Sequence, residues 1–170
     1  MNNLEIEAKY LIKDIDLSEY KVKFIEQGYL SINPVVRIRK NDSIYILTYK
    51  NKECDSDNVL ISTEKEIIID EITYNNLKNK CDGNIITKKR YLVPLYDDYI
   101  AEVDVFLGVF YGIKLAEVEF KNREHMQNFV KPDWFLENVS SDKRFYNSNM
   151  TRFSIDEINK LKVDLIGRCL

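Results

Sequence analysis

Histidine occurs once, at His125, and cysteine three times, at Cys54, Cys81 and Cys169. A lone histidine with widely spaced cysteines cannot complete a zinc site. An odd number of cysteines gives no disulfide framework, so a reducing cytoplasmic setting is expected. Basic residues are not in excess, the formal net charge being -3, which argues against a duplex nucleic-acid binder. No apolar run reaches the length of a membrane span, and the first residues show no basic and apolar leader. His125 lies in the polar stretch NREHMQNF, where a solvated surface helix is the simplest reading, and it is assigned no role.

What the chain does have is 45% hydrophobic and 31% charged residues over 170 positions, enough for one folded domain spanning 1–170 with a sizeable core. The stretch EIEAK, Glu5 to Lys9, alternates charged and apolar residues, and side chains two apart share a strand face. The same alternation returns in VVRIRK, IYILTYK, STEKEIII, TKKRYLV, IAEVDVF and KLAEVEF, each bounded by turn-forming stretches such as KNDS and CDGN. KRFYNSNM is a candidate eighth strand. Helices are predicted over DIDLSEYKVKFIEQG, from an Asp16 and Glu19 pairing to Gly28, over the segment that follows Asp70, and over NREHMQNFV before Pro132. A last helix is expected at about 154–167, opened by a Ser154 and Glu157 capping box with Phe153 and Ile158 placed as a staple. Short connections between strands predict an antiparallel sheet.

Collected by strand, the charged positions are segregated by sign. Glu5, Glu7, Glu64, Glu66, Glu102, Asp104, Glu117 and Glu119 are acidic; Lys9, Arg37, Arg39, Lys50, Lys88 and Arg90 are basic. Any one of these strands reads as the wet side of a sheet. Taken together, rows of like charge need compensation, carboxylates by a metal ion and cations by an anion. The fold expected is therefore α+β: a closed eight-stranded antiparallel β-barrel, a tunnel with its charged face inward and helices covering the apolar outer face. Carboxylates without histidine or cysteine suit hard divalent ions, Mg2+ or Mn2+ among them, and arginine forks and lysine ammoniums suit phosphate oxygens.

The succession EIEAK, RIRK, LTYK, EKEI, TKKRY, EVDVF, LAEVEF, PDWF and VSSDKRFYN resembles the CYTH proteins, or triphosphate tunnel metalloenzymes, from Leu4 to about Asn147. The family includes bacterial tripolyphosphatases, thiamine triphosphatases and class IV adenylate cyclases. The resemblance implies that Glu5, Glu7, Glu117 and Glu119 are metal ligands, with Glu64, Glu66, Glu102 and Asp104 as supporting or second-metal carboxylates. It implies phosphate binding by Lys9, Arg37, Arg39, Lys50, Arg90 and Lys143. EQGYL and TKKRY resemble the bacterial tripolyphosphatases in particular, and imply a catalytic pair of Tyr29 and Lys88. Bacterial relatives often carry arginine where this chain has Ser62. The implied activity is metal-dependent hydrolysis of inorganic tripolyphosphate by a monomer or homodimer with no nucleic-acid or membrane partner. ATP, thiamine triphosphate or cyclase chemistry would need a base pocket, for which Tyr45, Tyr49 and Trp134 are candidates. A non-catalytic polyphosphate-binding module is the third reading.

Overall fold

The computed structural model describes residues 6–54 and 60–168. Strands β1 (Ile6–Ile12), β2 (Lys21–Ile32), β3 (Val35–Asn41), β4 (Ile44–Cys54) and β5 (Leu60–Ile69) come first. They are followed by β6 (Ile86–Pro94), β7 (Ile100–Phe106), β8 (Lys114–Phe120) and β9 (Phe135–Asn138). All join one antiparallel sheet in the order β5-β4-β3-β2-β6-β7-β8-β1-β9. Among the described residues no ladder joins the outer strands β5 and β9. No described helix is long and apolar enough to cross a membrane.

Three predicted helices form. Helix α1 (Glu71–Lys78) starts at Asp70, whose carboxylate accepts the Thr73 N–H at 2.7 Å. Helix α2 (Arg123–Asn128) starts at Asn122, which accepts from the His125 N–H. Helix α4 (Ile155–Arg168) has the predicted reciprocal box: Glu157 accepts the Ser154 N–H at 2.8 Å, and Ser154 Oγ accepts the Glu157 N–H at 3.3 Å. Phe153 and Ile158 belong to one apolar cluster, as the staple requires.

Two segments depart from expectation. Residues 21–28, read as the end of a helix, are the first two thirds of β2. The Asp16 carboxylate accepts the Ser18 N–H in a local turn instead of opening a helix. Pairing on both sides, to β3 and β6, outweighs local helical preference, and Ile25, Gln27 and Tyr29 then share a buried face. Gly28 is not a helix stop. A Cβ there would sit 2.7 Å from Cys81 Sγ and from Ile85 Cδ1, so glycine lets that loop lie against the strand. KRFYNSNM is not a strand either: it forms a 3-10 turn at Lys143–Phe145 followed by α3 (Asn147–Met150). The strand in this region is β9, which pairs with β1.

The two sheet faces are packed differently. The even-numbered residues of β1 and Ala116, Val118 and Phe120 of β8, with Val93, Ala101 and Val103, form an apolar layer with Tyr99, Phe129, Trp134 and Phe135. The opposite face is charged over part of its length and apolar over the rest: Leu11, Ile86, Phe106 and Leu115 continue the rows of Lys9, Lys88, Asp104 and Glu117. Ile158, Leu161 and Leu165 of α4 pack into that apolar part, each contributing about 1.5–3 kcal/mol by burial. The helix thus seats on the inner face, not on the outer one as the barrel argument predicted, and it bounds the charged region on that side.

Candidate active site

Strand alternation aims the charged rows of β1 to β8 at a single cavity of about 890 Å³. Its walls include Glu7 and Lys9 from β1, Tyr29 from β2, Arg37 and Arg39 from β3, and Lys50 from β4. Glu64 and Glu66 from β5, Arg90 from β6, Glu102 from β7, and Glu117 and Glu119 from β8 complete it. The two signs therefore meet across one cavity. A neighbouring cavity of about 680 Å³ shares Glu7, Glu102, Glu117 and Glu119 and extends to Asp97, Tyr99 and His125. His125 Nδ1 is 3.0 Å from the Tyr99 hydroxyl there.

Arg90 is the hub of the acidic wall. Its Nε donates to Asp104 Oδ1 and its Nη2 to Asp104 Oδ2, both at 2.7 Å, while Nη1 donates to Glu102 and Nη2 also to Glu117 Oε2. Burial alone would pull this guanidinium's pKa down, but Asp104, Glu117 and Glu102 outweigh it and hold it above its ordinary value. Glu117 also accepts Lys9 Nζ at 2.8 Å, and Lys9 donates to the Phe145 carbonyl. Burial would raise the Glu117 pKa, yet Lys88, Lys9 and Arg90 hold it far below the usual carboxylate range. Glu7 and Glu119 stand directly opposite each other in the β1–β8 register, an arrangement of like charges that favours a cation beside them.

The basic wall is looser. Arg37 donates to Thr48 Oγ1 at 3.1 Å, and Thr48 in turn donates to Glu66. Lys50 pairs with Glu64 at 2.8 Å. Arg37 Nε is a buried donor that finds no acceptor among the described residues. Arg39 is depressed to about 10, first by burial and then by repulsion from Arg37 and Arg90. Crowded guanidiniums with an unsatisfied donor are a site for an anion.

Tyr29 and Lys88 do not meet. Lys88 lies opposite Ile25, and Tyr29 is four positions farther along β2, roughly 13 Å at strand rise. Lys88 Nζ is fully buried, donates to Asp104 Oδ2 at 2.5 Å and sits over the Phe106 ring; it is not among the lining residues of either cavity. Burial lowers its pKa to about 8, against the pull of Asp104. Tyr29 lines the cavity and hydrogen-bonds Gln27.

Comparison with known proteins follows the same lines. An inorganic triphosphatase of Nitrosomonas europaea is 34% identical over 84% of this chain and 93% of its own length. One from Acetivibrio thermocellus is 33% identical over 87% of this chain and 93% of its own. The chain belongs to the inorganic triphosphatase family. This is the group whose motif succession the sequence resembles, the CYTH proteins. The crystal structure of the inorganic triphosphatase NE1496 superposes with a TM-score of 0.69 at 31% identity, covering 89% of this chain and 97% of that one. The fold is also shared, at 19% identity and a TM-score of 0.50, by HpAC1 of Hippeastrum, an adenylyl cyclase candidate described as having a dominant triphosphatase activity. No protein-family model matches the chain.

Against this triphosphatase framework, Glu5 lies outside the described residues, as does the side chain of Ser62. Lys143 is exposed on the turn before α3 and does not line the cavity, although Ser140, Tyr146, Asn147 and Ser148 beside it do. Sequence reasoning missed those four, and also Arg123 and Met126, which α2 brings to the cavity. None follows a strand alternation, so no periodic signal marks them. Thr48 and Gln27 could have been found, since they alternate with Lys50 and Tyr29. Tyr45, Tyr49 and Trp134 do not line the cavity: Tyr45 packs on Tyr74, and Trp134 on Phe135.

Proposed function

We propose that the chain hydrolyses inorganic tripolyphosphate to pyrophosphate and phosphate, with Mg2+ or Mn2+, in a channel closed around the cavity. The observation that carries this reading is the cationic wall of Arg37, Arg39, Lys50 and Lys9, with its unsatisfied Arg37 donor, facing a carboxylate wall across one volume. The curated relatives, named inorganic triphosphatases, support the same substrate class. A nucleotide would want an aromatic platform, and none of Tyr45, Tyr49 and Trp134 reaches the cavity.

The donor set fits a hard divalent ion because it is all carboxylate oxygen. Glu7 and Glu119, opposite in register, are the residues that would hold it, with Glu117 and Glu5 as further ligands and Glu64, Glu66, Glu102 and Asp104 in support. Among the described residues no three such groups converge at ligand spacing, so Glu117 would have to turn from Lys9 and Arg90, or Glu5 contribute. When bound, the metal offsets phosphate charge and supplies an activated water.

The remaining work falls to the chain's own side chains. Pairs at the basic wall, Lys50–Glu64 and Arg37–Glu66, are partly solvated and worth under about 1 kcal/mol each, so phosphate oxygens displace the carboxylates at small cost. Arg37, Arg39, Lys50 and Lys9 then bind the chain's oxygens, aligning it for in-line attack. Arg90 stays fixed by Asp104 and directs its positive charge at the reacting end, where charge stabilisation is the largest catalytic contribution. Lys88 holds Asp104 from behind and so acts through Arg90.

The test is a substrate panel of tripolyphosphate, ATP and thiamine triphosphate, assayed with Mg2+, Mn2+ or EDTA for released phosphate and for cyclic AMP. Metal-dependent phosphate release that is fastest with tripolyphosphate is expected. Cyclic AMP as the main product, binding without turnover, or hydrolysis undiminished by EDTA would each overturn a stated part of the reading.

A further inference from the structure

Gln27 is fully buried, yet no charge or turn demands an amide at that place. Its Oε1 lies 3.3 Å from Arg39 Nε and its Nε2 lies 3.3 Å from the Tyr29 hydroxyl. The orientation of this amide is forced. Arginine Nε can only donate, so the amide oxygen must face Arg39, and the NH2 group must face the phenol. Tyr29 therefore accepts from Gln27. With its oxygen receiving the Gln27 NH2 group, the phenol's own proton is directed away from that amide, and Tyr29 lines the phosphate cavity.

We infer that Gln27 is a positioning residue that fixes Tyr29 as a hydrogen-bond donor to a phosphate oxygen and holds Arg39 in the same relay. This deepens the tripolyphosphatase reading and rests on it. The role explains why a neutral amide occupies the site. A carboxylate there would accept from Arg39 equally well, but would also capture the phenol proton and turn it from the cavity. An apolar residue would leave Arg39 Nε and the phenol oxygen short of a partner in a buried region. Burial raises the Tyr29 pKa, opposed in part by Arg37 and Arg39, which keeps the proton in place at neutral pH.

The experiment is a cycle of Gln27→Glu, Tyr29→Phe and the double variant, with kcat and KM measured on tripolyphosphate and folding checked by thermal melting. Gln27→Met serves as the neutral companion. Tyr29→Phe is expected to lower kcat about 100-fold, the usual loss for one donor to developing oxyanion charge. Gln27→Glu should lose kcat by a similar factor while melting near wild type, and should cause no further loss in the Tyr29→Phe background. Gln27→Met should lose less, because its phenol proton is free to rotate instead of being captured. Wild-type kcat in Gln27→Glu, or a loss that persists fully in the Tyr29→Phe background, overturns the inference while leaving the hydrolase intact. If the wild-type chain turns over no triphosphate, the hydrolase reading fails separately. Calorimetric binding of tripolyphosphate to the same variants then decides: equal, non-additive affinity losses support the relay, and additive or absent losses refute it.

Discussion

Replacing Lys88 by methionine separates a residue that touches substrate from one that supports the site from behind. Lys88 and Asp104 have 0% and 1% exposed side chains, and truncating one member of such a pair commonly costs about 3–5 kcal/mol. Here Asp104 keeps two bonds from Arg90, so it is not left bare. Methionine also relieves the desolvation that depresses the lysine to about 8. The expected net loss is about 1–2 kcal/mol for Lys88→Met, and about 4 kcal/mol for Lys88→Ala, which adds a cavity. With a urea m-value of about 2 kcal/mol/M, the midpoint should fall by about 0.5–1 M for methionine and about 2 M for alanine, at unchanged slope. Turnover should fall with the loosened Arg90, and KM should change less. A methionine variant with the wild-type midpoint but kcat reduced by orders of magnitude would refute this, and would return Lys88 to direct contact with the reacting phosphate.

Tripolyphosphate at one hundred times its dissociation constant should stabilise the fold by about 2.7 kcal/mol, raising Tm by about 5–10 °C in a thermal scan. An unchanged Tm would show that the cavity does not bind it. Leu161→Ala, in the apolar part of the inner face, should cost about 3 kcal/mol by urea titration with kcat retained, since it lies beyond the charged rows. Asp142, hydrogen-bonded by Arg144, titrates below its ordinary 3.8. Its stabilisation is therefore present above pH about 4 and lost as pH falls through the native value. The pair is partly solvated, so Asp142→Asn should lower Tm only slightly at pH 6, by the equivalent of about 0.5 kcal/mol, and the gap should narrow as the pH falls below 3.8.

Much of this arrangement was written in strand alternation. Seven alternating segments correspond to strands, and the charged positions read from them, Lys88 and Asp104 aside, line the cavity wherever they are described. Lys88 and Asp104 share the same alternation but sit deeper, where Arg90 covers them; periodicity reports the face and not the depth. β2 was illegible because Leu17, Tyr20 and Phe24 recur at helical spacing, while two flanking ladders that no local window contains decide its conformation. β9 is four residues long and too short to show a period. Arg123 reaches the cavity from the first turn of the short helix α2 and Tyr146 from the turn before α3, neither of which follows the strand repeat. The Tyr29 and Lys88 pairing came from resemblance, and register is what separates the two residues here.

The sheet gives β1 no early neighbour. Its ladders run to β8 and β9, and Lys9 donates a hydrogen bond to a carbonyl 136 residues downstream. During synthesis the first strand must wait, its edges unsatisfied, until ribosomes have delivered almost everything else. Nascent chains should therefore fold late and in one step, with phosphate-binding competence arriving only at the close, as expected for distant contacts. Stalled or prematurely terminated translation products would be client proteins for chaperones rather than partly active enzyme.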